Sequence, residues 1–239
     1  MDITPEEKLM YDVMKAIYES GIPINFKGSM VLKACLIEAG YLDEIRHTVD
    51  IDANWYSDTP PTAEQMVKSL QNALDKSDIN LRIKIYRMYG EGRSAGFELL
   101  STEDGEVIFT MDVDVNRPAT KTKIYEIGGV HFCGATPVQM ISDKVASISS
   151  DIVFRRIKDV IDLYYISHII PFNANTITKT LKSSGRVLGN FYEFLYRTEE
   201  LKHSYEKFRF TGVVNKPTFE EVYRTVKQYI NDILPEKQE

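Results

Sequence analysis

Apolar side chains recur at helical spacing at Met10, Val13, Met14 and Ile17, which predicts a first helix. Its start is written in Thr4-Pro5-Glu6-Glu7: an N-cap, a proline at the first helical position and a capping-box glutamate. Gly21 is its stop. Ile22 to Phe26 surrounds a proline and suits a short strand feeding Lys27-Gly28-Ser29. Met30 to Ala39 then reads as a helix ended by Gly40, and Thr48 to Trp55 alternates as a strand. Thr62-Ala63-Glu64-Gln65 caps the next helix.

The middle of the chain is β. Leu81 to Tyr89 and Phe97 to Ser101 are strand-like, and Asp104-Gly105 is a hairpin signal leading into Glu106 to Val115. Along that last strand Phe109, Met111, Val113 and Val115 take one face, while Thr110, Asp112, Asp114 and Asn116 take the other. Asn116-Arg117-Pro118 ends it. From Pro137 onward the spacing is helical, over Val138–Ser149, Phe154–His168, Thr176–Lys182, Val187–Tyr196 and Phe219–Ile233, the last with a Thr218/Glu221 capping box. The expectation is a mixed α/β domain over 1–136, its sheet flanked by helices, and a helical C-terminal domain over 137–239.

Composition narrows this only a little. An apolar share of 43% and a charged share of 27% over 239 residues are those of an ordinary globular protein. No run approaches the roughly 18 apolar residues of a membrane helix, so no membrane partner is expected. The acidic N-terminus does not read as a signal peptide. Two cysteines, Cys35 and Cys133, lack C-x-x-C spacing; they suggest a reducing cytoplasm and argue against a structural zinc site. The net charge of −6 does not advertise a nucleic-acid binder, although phosphate affinity depends on local patches.

The candidate chemistry lies between 27 and 52. Lys27-Gly28-Ser29 opens a helix, where free backbone N–H groups suit a phosphate, although Ser29 can equally be a plain N-cap. Asp50 and Asp52 alternate on the following strand and so share a face. Together these are the parts needed to hold a nucleoside triphosphate (NTP) through Mg²⁺ or Mn²⁺ for nucleotidyl transfer. A third carboxylate should come from a neighbouring strand, with Asp114 preferred and Asp112 second. Clustered carboxylates need a compensating cation, which is the physical reason to read them as metal ligands. The bland alternative is a solvated strand face.

Lys27-Gly28-Ser29 followed by Arg46-x-Thr48-x-Asp50-x-Asp52 resembles the AbiEii-type nucleotidyltransferases, toxins of type IV toxin–antitoxin and abortive-infection systems. Asp143-Lys144-Val145, then Arg155-Arg156-Ile157-Lys158-Asp159-Val160-Ile161-Asp162-Leu163-Tyr164, is similar to that family's lysine-bearing helix and its R-x-x-D-L-x-D-L helix. The resemblance spans 27 to 164. It implies a polymerase β-like nucleotidyltransferase core with a C-terminal helical domain. Lys144 would sit near the nucleotide phosphates, and Asp159 would be a further essential acid or an anchor for Lys144. Arg46 would contact Asp50 or a phosphate, or cap the connection before the strand; Asp162 reads as structural.

The family also implies an acceptor, the 3′ end of a tRNA, and a cognate antitoxin. Arg155, Arg156 and Lys158, and separately Lys179, Lys182 and Arg186, offer positive charge for RNA, or are simply solvated helix faces or an antitoxin contact. The chain departs from the pattern in its Gly-Ser turn, where many relatives carry Gly-Gly, and in the basic character of the 155–158 stretch. Two other readings stay open: transfer to a protein or small molecule, and a catalytically silent nucleotide- or partner-binding module.

Overall fold

A computed structural model describes residues 3–41, 46–90, 94–115, 120–213 and 215–234. The chain divides into two compact units, one of Met1–Glu38 with His47–Ala135, the other of Ala39–Arg46 with Thr136–Glu239.

The first unit is built on a seven-stranded mixed sheet. Its strands are β1 (Ile24–Lys27), β2 (Asp50–Trp55), β3 (Leu81–Tyr89), β4 (Ser94–Ser101), β5 (Val107–Val115), β6 (Thr122–Ile127) and β7 (Val130–Ala135). The order across the sheet is β3-β4-β5-β2-β1-β7-β6, with β2 parallel to β5, β1 parallel to β7 and the other pairs antiparallel. Three helices belong to this unit: α1 (Pro5–Glu19), α2 (Gly28–Glu38) and α3 (Ala63–Lys76). The capping boxes at Thr4/Glu7 and Thr62/Gln65 form as the sequence predicts. Alternation does the rest: Ile51, Ala53, Phe109, Met111 and Val113 are buried on one face, while Asp50, Asp52, Asp112 and Asp114 are half-buried on the other.

The second unit holds α4 (Pro137–Ile148), a 3₁₀ turn at Val153–Arg156, α5 (Ile157–Ser167), α6 (Ala174–Ser183), α7 (Tyr192–Tyr196), α8 (Thr198–Lys207) and α9 (Phe219–Ile233). α4 packs on α5 and α6, and α5 on α9, around Val145, Ile161, Leu163, Ile166 and Ile230. Tyr41, from the short stretch that joins this unit, stacks edge-on against Tyr165.

Several expectations change. The β6–β7 hairpin is absent from the sequence reading; it turns on Gly128-Gly129, both at positive φ (55° and 82°), the demand of a two-residue hairpin turn. The expected helix over Val187–Tyr196 is helical only from Tyr192. Gly189 N–H donates to Ser149 Oγ and Phe191 N–H to Ser149 O, with Phe191 left-handed (φ 57°), so the backbone is tied to the end of α4 instead of to itself. α8 is new as well, anchored by only Leu201 and Tyr205. The expected strand end at Asn116-Arg117-Pro118 and the connection at 42–45 lie outside the described residues.

Candidate functional site

The residues on the polar face of the sheet are brought together by register. Lys27 pairs with Asp52, Asp52 with Asp112, Asp112 with Gly96, and Gly96 with Arg87. One row therefore crosses five strands, with two acids in the middle and a cation at each end. Asp114 is one step along, beside Asn54. Of the two candidates for the third carboxylate, Asp112 is the one directly beside Asp52, on strands that lie about 4.8 Å apart.

Each acid has its own support. Thr48 Oγ1 donates to Asp50 Oδ1 at 2.8 Å. Arg87 and the Tyr86 hydroxyl both donate to Asp112. Asp114 accepts from Lys27 Nζ at 2.6 Å, and the same ammonium donates to Asn54 Oδ1 at 2.8 Å. Asn54 continues to the Tyr56 hydroxyl, which bonds Thr120. Asn54 escaped the sequence reading although it is the next member of the alternation, two residues beyond Asp52.

Gly28 opens α2 with φ +74°, and a Cβ built there would stand 2.3 Å from Asp52 Oδ2. The backbone thus approaches the carboxylate as only glycine permits. It sets the opening turn of α2 beside the acidic row. Ser29 is half-buried in the same turn.

Behind the row lies a buried ion pair. Glu7 and Lys33 are 0% and 2% exposed, and Lys33 Nζ donates to Glu7 Oε2 at 2.5 Å. Glu7 also closes the α1 capping box and lies 3.4 Å from both Thr48 N–H and His47 Nδ1. Burial alone would raise its carboxyl pKa, but the hydrogen bonds from Lys33 and Thr4 and the charges of Lys33 and His47 hold it low. The residue chosen to cap a helix therefore also supports the approach to β2.

In the second unit Lys144, Asp159, Asp162 and Arg46 form one cluster. Lys144 Nζ donates to Asp159 Oδ1 at 3.1 Å and to Asp162 Oδ2 at 2.7 Å, and Arg46 lies 3.2 Å from Asp162 Oδ1. Ser147 Oγ fixes the other oxygen of Asp159. Lys144, Asp159 and Asp162 are all buried. Burial works against the charge of Lys144, yet Asp162 and Asp159 outweigh it and push its pKa up; Arg46 and Lys144 likewise hold Asp162 low against burial. Arg46 meets Asp162 here. Of the basic residues noted in the sequence, Arg155, Arg156, Lys179 and Lys182 are exposed, while Arg186 is bound to Asp143 at 2.8 Å.

The acidic row fits a hard cation. Its donors are carboxylate oxygens, the ligands that Mg²⁺ takes, and glycine at 28 lets the opening of α2 come close to Asp52. Among the described residues no three His, Cys, Asp or Glu side chains close into a cage, so Asp50, Asp52 and Asp114 share a face without forming a closed cluster. Mg²⁺ usually needs no such cage, being held by one or two carboxylates with water and substrate phosphates completing its shell. No helix among the described residues is long and apolar enough to cross a membrane.

No family model and no curated protein matches the chain. Among solved structures it is similar to MenT4, a nucleotidyltransferase toxin from Mycobacterium tuberculosis H37Rv. The TM-score is 0.62 at 15% identity, over 97% of this chain and 84% of that one. An antigenic nucleotidyltransferase-like protein from Paracoccidioides brasiliensis overlaps 83% of this chain and 93% of its own, with a TM-score of 0.47 and 17% identity. The chain therefore has a nucleotidyltransferase fold: a mixed sheet flanked by helices, followed by C-terminal helices.

Proposed function

We propose, from the nucleotidyltransferase fold just described, that the chain transfers a nucleotide from an NTP to the 3′ end of an RNA, with tRNA the expected acceptor. It would act as the toxin of a type IV toxin–antitoxin pair. The observation that carries the chemistry is the pairing of Asp52 and Asp112 beside the Gly28 opening of α2.

In this reading the N–H groups of Gly28 and Ser29 orient the triphosphate. Asp50 and Asp52, with Asp112 as third carboxylate, hold Mg²⁺ or Mn²⁺; Asp114 serves to fix Lys27. The bound ion supplies charge neutralisation on the phosphates and eases ionisation of the attacking hydroxyl. The acceptor oxygen loses its proton to Asp112 and bonds to the α-phosphorus. The bond from that phosphorus to the bridging oxygen breaks, and pyrophosphate leaves. Lys144, which the family resemblance assigns to the phosphates, is held by Asp159 and Asp162. Asp159 is then an anchor for Lys144, and Arg46 acts through Asp162.

The toxin role and an antitoxin partner rest on the AbiEii-type resemblance and on the likeness to a nucleotidyltransferase toxin. A cytoplasmic location agrees with two free cysteines.

The test is label transfer from each α-labelled NTP into total RNA with Mg²⁺, wild type against Asp52→Ala. We expect label in a tRNA-sized band, lost at least 100-fold in the variant while the fold is kept. Label on a protein band would move the acceptor to a protein, and NTP binding without transfer to any acceptor would leave a silent binding module.

A further inference from the structure

The outer strand β3 carries a feature that supporting Asp112 does not by itself explain. Its ladder with β4 skips a residue: Ile85 pairs with Phe97 and Arg87 with Gly96, so Tyr86 is an extra residue in a bulge. Bulges re-aim side chains. Here consecutive residues, Tyr86 and Arg87, both reach Asp112. They do so across Gly96, where a Cβ would stand 2.5 Å from the Tyr86 ring and 2.7 Å from Asp112 Oδ1. The Arg87 guanidinium lies 5.1 Å from the Tyr86 ring centre and 5.3 Å from that of Tyr89. Tyr86 is 41% exposed, Arg82 and Lys84 are exposed further along β3, and the strand contains no acid.

Position assigns this wall a role that rests on the transfer reading above. The triphosphate belongs at the β1 end of the row, at Gly28 and Ser29. In an in-line displacement the nucleophile enters opposite the leaving group. With Asp52 and Asp112 in the middle, the acceptor belongs at the β3 end. Aromatic rings interleaved with guanidinium and ammonium groups suit stacked bases joined by phosphates, the pattern of single-stranded nucleic-acid binding. We propose that Tyr86, Arg87 and Tyr89 form the acceptor subsite, stacking the 3′-terminal bases of a single-stranded RNA while Arg82 and Lys84 take its backbone phosphates.

The test uses the full chain and a 5′-fluorescein oligoribonucleotide with a single-stranded 3′ end, read by anisotropy, alongside titration with mant-ATP and mant-GTP. Tyr89→Ala/Arg82→Ala/Lys84→Ala, which leaves the partners of Asp112 in place, should weaken oligonucleotide binding at least tenfold, within the range that losing a base–aromatic stack usually costs. Its mant-nucleotide affinity should stay within twofold of wild type. A 4-thiouridine at the 3′ end should crosslink to the peptide containing Tyr86 and Tyr89. An unchanged oligonucleotide affinity, an equal loss of mant-nucleotide binding, or a wild type that does not bind the oligonucleotide overturns the subsite. Failure of the transfer reading shows separately, as absence of label transfer by the wild type, on which neither binding measurement depends.

Discussion

Thr48 shows how much a single side chain decides at the acidic row. Its hydroxyl holds Asp50 at 2.8 Å, and its N–H faces Glu7. Thr48→Val keeps the shape and removes the hydroxyl; we expect label transfer to fall about 10- to 100-fold, the scale of a charge-assisted hydrogen bond of roughly 1.5–3 kcal/mol. Thr48→Ser should restore it, with thermal unfolding of all three proteins nearly coincident. Gly28→Ala is harsher, because the new Cβ meets Asp52 and φ +74° is left-handed. It should cost about 1–2 kcal/mol from the backbone alone and abolish transfer. At this scale the sequence was legible where chemistry is local. The turn at Gly28 and the shared face of Asp50 and Asp52 follow from residue type and spacing. Which of Asp112 and Asp114 lies beside Asp52 does not, since alternation puts both on one face and only the register with β2 separates them. Glu7 was legible as a cap but not as the partner of Lys33, which lies 26 residues away.

Among elements, the Glu7–Lys33 pair fastens α1 to α2 and both to the approach to β2. Removing one partner strands the other charge in the core. Lys33→Met or Glu7→Ala should each cost about 3–5 kcal/mol in urea unfolding, and the double Glu7→Leu/Lys33→Met much less than the sum. Additive losses would show that the two groups are not coupled. Elements with strong patterns, such as α1, α3 and α9, could be read in advance because their caps and apolar stripes agree. β6–β7 and α8 could not. The hairpin strands carry few apolar positions on a clean alternation, and α8 buries only two side chains. In 187–191 apolar spacing is helical, but the backbone bonds go to Ser149.

For the whole molecule, pH dependence follows from three buried groups. Glu7 and Asp162 titrate below their ordinary values of 4.5 and 3.8, so the stability they contribute is present above those values and is lost as pH falls below them. Lys144 titrates above its ordinary 10.5, so its contribution is complete below that value and is lost only as pH rises past it. Urea midpoints should hold level from about pH 5 to 10 and fall on both sides. Lys144→Met should shrink the alkaline limb, to which the buried tyrosines Tyr11, Tyr125 and Tyr165 also contribute, and Asp162→Asn should shrink the acid one.

The strand order also has a consequence in time. Asp52 and Asp112 are neighbours in the sheet but sixty residues apart in the chain, with β3 and β4 made between them. At about 5–20 residues per second of synthesis, the first acid waits about 3–12 s for the second to be polymerised. A nascent chain therefore carries its D-x-D strand before the acidic row can form. A cell making this protein has that interval, and the slow pairing of distant strands that follows it, before the row proposed as the active centre is complete.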